Sequence, residues 1–114
     1  MKKIYLAIPY SGMEELSFKV ANEVAAKLMN EGYIVFSPIS HSHPLAVSHQ
    51  MPGTWDFWKK FDESFILGWC DEVWVVVIGE NGYDLCARSR GVCAEILMAS
   101  QNNIPVKHYD YERV

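Results

Sequence analysis

The chain places an amphipathic helix between two short apolar segments, and this pattern restricts its fold more than any other feature. "KIYLAI" at residues 3–8 and "YIVFS" at 33–37 read as buried strands. Between them, apolar residues recur every four positions from Leu16 to Leu28, as on one face of a helix. Ser11 followed by Glu14 is a capping-box pattern, so the helix is predicted to start at Ser11. Two strands joined by a helix predict a parallel βαβ unit.

The remaining segments continue the alternation. The sequence predicts helices at 55–69 and 89–102, strands at 72–78 and 105–109, and irregular loops at 38–54 and 79–88. Right-handed crossovers then give an α/β, Rossmann-like (flavodoxin-like) doubly wound sheet of four parallel strands in the order 2-1-3-4. A length of 114 residues fits a single domain, 1–114.

Charge and cysteine content exclude several classes of protein. The net charge is -4 and the chain has no basic run, which argues against a nucleic acid polymer as partner. Its apolar segments are too short to span a membrane, and "MKKIYLAIPYSG" is too short in its apolar part for a signal peptide. Three cysteines without metal-ligand spacing suit a reducing, cytoplasmic location.

The predicted topology also says where a ligand should bind. In a doubly wound sheet, ligands bind beyond the carboxyl ends of the strands, at the point where the strand order reverses. The loops at that point are "PYSG" and "GENGYDLCARSRG". The site is therefore expected between the first and third strands, next to the helix that begins "SRGVCAE".

That helix carries Gly91 four residues before Glu95. A glycine there exposes the turn over which the glutamate side chain leans, leaving room for a ligand. The free N–H groups of the helix start favour an ionised carboxylate and bound anions. Alternatively, Gly91 allows close helix–strand packing and Glu95 is a solvated surface residue.

Asp62 is the second candidate catalytic residue. It falls on the apolar face of the 55–69 helix, among Trp58, Phe65 and Ile66. Desolvation there would raise its pKa and suit it to donate a proton. The alternative is that Asp62 caps or bridges a backbone group at the edge of the core.

Two helix starts could hold a phosphate. Ser11 and Gly12 open the first, and Ser89 opens another between Arg88 and Arg90. The alternatives are an ordinary cap at Ser11 and solvated arginines around Ser89.

Aromatic and histidine side chains complete the predicted pocket. Tyr5 is expected in the core and Tyr10 at the rim, and both are counted with the substrate-binding residues. His41, His43 and His49 lack zinc spacing, so no metal is predicted. His43 is predicted to shape the pocket wall.

Several of these motifs, taken together over most of the chain, resemble the nucleoside 2-deoxyribosyltransferase superfamily. They are "YLAIPYSG", Asp62 nine residues before Asp71, and "SRGVCAE". The resemblance implies that Glu95 is a nucleophile and that Asp62 contacts the nucleobase or handles its proton. It also implies a nucleotide or nucleoside ligand, no cofactor and a homo-oligomer.

The residue two positions before Gly91 separates two branches of that superfamily. Transferases that take free nucleosides carry Asp there, whereas the branch that hydrolyses 2'-deoxynucleoside 5'-monophosphates carries Ser as part of a phosphate site. Ser89 therefore resembles the hydrolase branch. The alternatives are a nucleoside 2-deoxyribosyltransferase, a nucleotide-binding module without turnover, and a structural or interaction protein. The sequence departs from the family at "IPYSG", at "EILMA" and in its histidine-containing segment.

Overall fold

In a computed structural model, which describes residues 1–111, one parallel sheet forms the centre of the protein. Its strands are β1 (Lys3–Ala7), β2 (Ile34–Phe36), β3 (Glu72–Ile78) and β4 (Val106–Tyr111). They lie in the order β2-β1-β3-β4, with every pairing parallel. The predicted fold class and strand order are confirmed. The last three residues of the predicted domain lie outside the described residues.

Helices cover both faces of the sheet. They are α1 (Glu14–Asn30), α2 (Pro38–Ser48), α3 (Trp55–Gly68), α4 (Gly82–Arg88) and α5 (Arg90–Gln101). Leu6 and Ile8 point towards α1 and pack with its buried residues. Tyr5 and Ala7 point to the other face, where they pack with residues of α3, α4 and α5. The period of two along β1 thus divides the core into two layers.

The first helix begins later than predicted. Met13 is the N-cap of α1, and no side chain within residues 1–111 forms a capping hydrogen bond there. Ser11 and Gly12 lie in a turn closed by a 3.0 Å bond from Met13 N–H to the Tyr10 carbonyl, with Gly12 at φ +86°. The capping-box interpretation was wrong because Glu14 uses its carboxylate to accept the Gly12 N–H, at 2.9 Å.

The segment 38–54 was predicted to be a loop, and most of it is helix α2. Pro38, the first residue of the predicted loop, occupies the first turn of α2, where a fixed φ and a missing N–H are tolerated. Pro44 lies inside the helix. Since α2 buries only Pro38 and His43, its sequence carries no clear apolar period.

The segment 79–88 was also predicted to be a loop, and it contains helix α4. Gly82, which lies in that predicted loop, is the first residue of the helix. A Cβ atom at Gly82 would lie 2.3 Å from Val77 Cγ1 and 3.0 Å from the Val77 carbonyl carbon. This glycine therefore lets the helix approach β3 closely. No helix within residues 1–111 is long and apolar enough to cross a membrane.

Candidate active site

A cavity of about 490 Å³ opens beyond the carboxyl ends of the strands. Its walls come from the segments that follow β1 and β2, from α3, and from the junction of α4 and α5. This volume is in the range of small-molecule binding sites. The position agrees with the switch point predicted from the strand order.

Asp62 and Glu95 both line this cavity. Asp62 comes from α3 and Glu95 from α5, two helices that pack against each other. Only 7% of Asp62 and 6% of Glu95 is exposed. Among the described residues, neither carboxyl group forms an ion pair. The interpretation of Glu95 as a solvated surface residue is therefore wrong.

A buried tyrosine of β1 forms a hydrogen bond with Glu95. The Tyr5 hydroxyl donates a hydrogen bond to Glu95 Oε2. Burial raises the pKa of Glu95 to about 8; the bond from Tyr5 opposes this rise, and the nearby charge of Asp62 adds to it. The expectation that the helix start would favour the ionised form fails, because Glu95 lies beyond the first turn of α5 and desolvation dominates.

Asp62 has an unpartnered buried oxygen. Among residues 1–111, no group forms a hydrogen bond with its Oδ1 atom. Burial raises the pKa of Asp62 to about 7. The alternative in which Asp62 caps or bridges a backbone group therefore fails for this atom, and the side chain is suited to carry a proton near neutral pH.

The predicted phosphate site at the first helix is weaker than the sequence suggested. Ser11 lines the cavity and Gly12 does not. The Gly12 N–H already donates to the Glu14 carboxylate, and Glu15 adds a second acid to the first turn of α1. An anion would meet two carboxylates at this helix start.

At the start of α5, the predicted residues do lie together. Ser89 is the N-cap and its hydroxyl accepts the Val92 N–H at 3.2 Å. Arg88 and Arg90 line the cavity with Ser89.

Both arginines already have aspartate partners. Arg88 Nε lies 3.0 Å from Asp84 Oδ2. Arg90 donates to both oxygens of Asp56, at 2.8 and 3.2 Å. Because exposed ion pairs contribute little free energy, a phosphate could displace either aspartate.

Gly91 lines the cavity, but its bare backbone faces an aromatic ring. A Cβ atom there would lie 3.5 Å from Trp55 Cε3, an ordinary contact distance. The space above Gly91 is thus partly filled by Trp55, which the sequence did not predict.

Replacing Gly91 by Ala is therefore expected to leave the fold intact. The helix propensity of Ala favours folding by up to about 1 kcal/mol, and the methyl group contacts Trp55 without a clash. Thermal unfolding should show an equal or higher midpoint. A fall in the midpoint of several degrees would mean that Trp55 cannot accommodate the methyl group.

Tyr5 and His43 were predicted to bind substrate, and both lie outside the cavity wall. Tyr5 is fully buried and reaches the site only through Glu95. His43 lies behind Tyr10, whose hydroxyl is 2.6 Å from His43 Nδ1. Tyr10 itself lines the cavity. Tyr5 and His43 therefore contact residues that line the cavity, Glu95 and Tyr10, without lining it themselves.

The other two histidines of the 38–54 segment do not line the cavity. His41 stacks on Phe61, with ring centroids 5.3 Å apart, and His49 follows the end of α2. Within the described part of the chain, no three His, Cys, Asp or Glu residues are grouped so that they could hold a metal ion.

Several lining residues were missed by the sequence interpretation. They share an apolar or aromatic side chain: Ile8, Pro38, Ile39, Trp55, Trp58 and Leu85. Trp58 is fixed by a 2.7 Å bond from its Nε1 to the Pro52 carbonyl. Two signals could have located some of them. The tryptophans share the helical face of Asp62. The residues that follow β2 must lie at the same edge of the parallel sheet as those that follow β1.

Residues 2–111 match a family described as a domain of unknown function, DUF1937, and the chain belongs to this family. No curated protein matches the chain.

Proposed function

We propose that the protein cleaves the N-glycosidic bond of 2'-deoxynucleoside 5'-monophosphates, with Glu95 as nucleophile and Asp62 as proton donor. The observation that carries this proposal is the pair of buried carboxyl groups in one cavity, neither of which has a cation partner within residues 1–111. Burying two such groups costs free energy, and apolar side chains at these two positions would make the fold more stable. The resemblance of "SRGVCAE" to the nucleoside 2-deoxyribosyltransferase superfamily supports the same assignment.

The proposed reaction has two steps. An oxygen of the Glu95 carboxylate bonds to the anomeric carbon as the bond from that carbon to the base breaks, and the base takes the Asp62 proton. A water molecule then attacks the anomeric carbon of the ester. One water proton returns to Asp62, and Glu95 leaves as the carboxylate.

This chemistry requires one proton on the carboxyl pair. With pKa values of about 7 and 8, the two groups together retain a proton near neutral pH. The Tyr5 hydroxyl donates to Glu95 and stabilises negative charge there, whereas no donor among the described residues reaches Asp62 Oδ1. In the reactive state we place the negative charge on Glu95 and the proton on Asp62. Because the pKa of Glu95 is the higher of the two, this is the less populated position of the shared proton.

The cavity walls suit a flat base and an anion. Trp55, Trp58 and Tyr10 offer aromatic surface beside the carboxyl pair. At the start of α5, Arg88 and Arg90 could turn from their aspartates to a 5'-phosphate.

Incubating the purified protein with a panel of deoxynucleoside monophosphates and detecting free base by chromatography tests the proposal. Release of base that is lost in a Glu95 variant supports it. A protein that binds nucleotides without releasing base would be the non-catalytic binding module.

A nucleoside 2-deoxyribosyltransferase is the second candidate, and the pairing of both arginines with aspartates favours it. In that case a second base, instead of water, would take the sugar from Glu95.

The two candidates differ in how much the 5'-phosphate is expected to contribute to binding affinity. If the α5 start holds a 5'-phosphate, the monophosphate should bind roughly tenfold tighter than its nucleoside by calorimetry, and Arg90→Gln should reduce that ratio. Lys59→Gln, which removes a charge from α3 outside the cavity wall, is the control. Equal affinities would favour the transferase.

The proposed assembly and location follow the resemblance and the cysteine pattern. We propose a cytoplasmic homo-oligomer, and the exposed side chains of Phe57, Phe61 and Leu67 on α3 provide apolar surface for a contact between subunits.

A further inference from the structure

Three hydrogen-bonding side chains lead from the protein surface to the cavity wall. Glu15 Oε2 lies 3.1 Å from His43 Nε2, and His43 Nδ1 lies 2.6 Å from the Tyr10 hydroxyl. His43 is 4% exposed, and its ring stacks on Phe18 with centroids 4.5 Å apart. Tyr10 lines the cavity, whereas Glu15 and His43 do not. The proposed cleavage reaction does not use this chain of contacts.

The carboxylate of Glu15 sets the direction of these hydrogen bonds. An ionised carboxylate can only accept, so His43 Nε2 must carry a hydrogen. In a neutral imidazole the other nitrogen is then an acceptor, and the Tyr10 hydroxyl donates to Nδ1. The hydroxyl has one hydrogen, which this bond uses. The Tyr10 oxygen is left with lone pairs only.

We propose that Tyr10 presents a fixed hydrogen-bond acceptor to the ligand and thereby selects ligands with a hydroxyl or amino hydrogen at that point. A freely rotating tyrosine hydroxyl could donate or accept, but one that donates to a neutral His43 can only accept from the ligand. A phosphate oxygen carries no hydrogen when ionised, so it is disfavoured beside Tyr10. The inference rests on the proposed function for its ligand class, in which the donor is a sugar hydroxyl or a base amino group.

The hydrogen-bond direction can be measured without any ligand. Long-range proton–nitrogen NMR at pH 8, where an imidazole is ordinarily neutral, reports which ring nitrogen of His43 carries the hydrogen. We expect it on Nε2. Glu15→Lys replaces the acceptor by a donor and should move the hydrogen to Nδ1. Glu31→Lys makes the same charge change at the far end of α1 and should not. A hydrogen on Nδ1 in the unaltered protein would overturn the proposal.

The selection itself is measured on Glu95→Gln protein, in which turnover is blocked. Calorimetry compares deoxyadenosine monophosphate with its 3'-deoxy analogue and with the analogue that lacks the base amino group. Removing one of these two groups, the 3'-hydroxyl or the base amino group, should weaken binding roughly tenfold. The analogue that binds more weakly identifies which group donates to Tyr10. Tyr10→Phe should remove that difference, while the thermal midpoint reports its folding.

Each outcome of the binding experiment decides a different point. Equal affinity for all three ligands, or an unchanged difference in Tyr10→Phe, would overturn the selection by Tyr10. If no nucleotide binds, the proposed function fails and the ligand class of this inference fails with it. The NMR result then still decides separately whether Tyr10 presents an acceptor.

Discussion

Replacing Glu95 by Gln is expected to lower the rate of base release roughly a thousandfold or more. The amide has nearly the shape of the carboxyl group and can still accept from the Tyr5 hydroxyl, but it cannot form the ester with the sugar. Folding should survive. Because burial raises the pKa of Glu95 from 4.5 to about 8, the parent loses stability as the pH rises through that range. The neutral amide should therefore make the protein more stable at neutral pH, and most of all above pH 8.

The measurement pairs single-turnover base release with thermal unfolding. Glu80→Gln, at an exposed position outside the cavity wall, is the matched control and should leave both unchanged. A Glu95→Gln protein that remains folded and releases base at the full rate would exclude Glu95 as nucleophile. A protein that loses activity only because it unfolds would show a lower midpoint instead of a higher one.

The sequence predicted the sheet because its strands are unambiguous. "EVWVVVI" has a length and composition that suit only a buried strand, and β3 spans those seven residues. Strand order followed from the βαβ alternation and the handedness of crossovers. Helices α2 and α4 were missed because proline and glycine are typical of loops but also occur at the first position of a helix. Pro38 starts a helix, and Gly82 allows a close contact with Val77 that depends on the tertiary structure.

For the candidate site, the sequence indicated the two carboxyl groups that share the cavity better than it indicated the residues around them. Asp62 stood out because it interrupts an apolar helical face, and Glu95 because of its spacing from Gly91. Partners distant in sequence gave no such signal. The bond from Tyr5 to Glu95 spans 90 residues, and the pairing of Arg90 with Asp56 spans 34. Periodicity describes which face a residue occupies, but it does not describe which side chain from another element meets it.

Replacing Asp62 by Asn should slow base release and stabilise the fold. Loss of the proton donor is expected to lower the rate roughly a hundredfold, the usual scale of general acid catalysis. The smallest loss is expected for bases that leave easily without a proton. The change also removes a carboxyl group whose buried Oδ1 has no partner in the described part of the chain, so the free energy of unfolding should rise.

The gain in stability should depend on pH in a definite direction. Burial raises the pKa of Asp62 from 3.8 to about 7, so the folded protein binds this proton more tightly than the unfolded chain. Stability from this group is therefore lost as the pH rises from about 4 to 7, and the loss is complete above that range. Asp62→Asn should match the parent at pH 4 and exceed it by on the order of 2 kcal/mol at pH 8.

Denaturant unfolding at a series of pH values measures this difference, with Glu63→Gln as the control. Glu63 follows Asp62 on α3 and does not line the cavity, so its amide should leave the pH dependence unchanged. A constant difference between Asp62→Asn and the parent would mean that folding does not raise the pKa of Asp62. A variant that is more stable yet slower separates the two effects: the fold would be better without this carboxyl group, and its position in the cavity is then explained by the reaction.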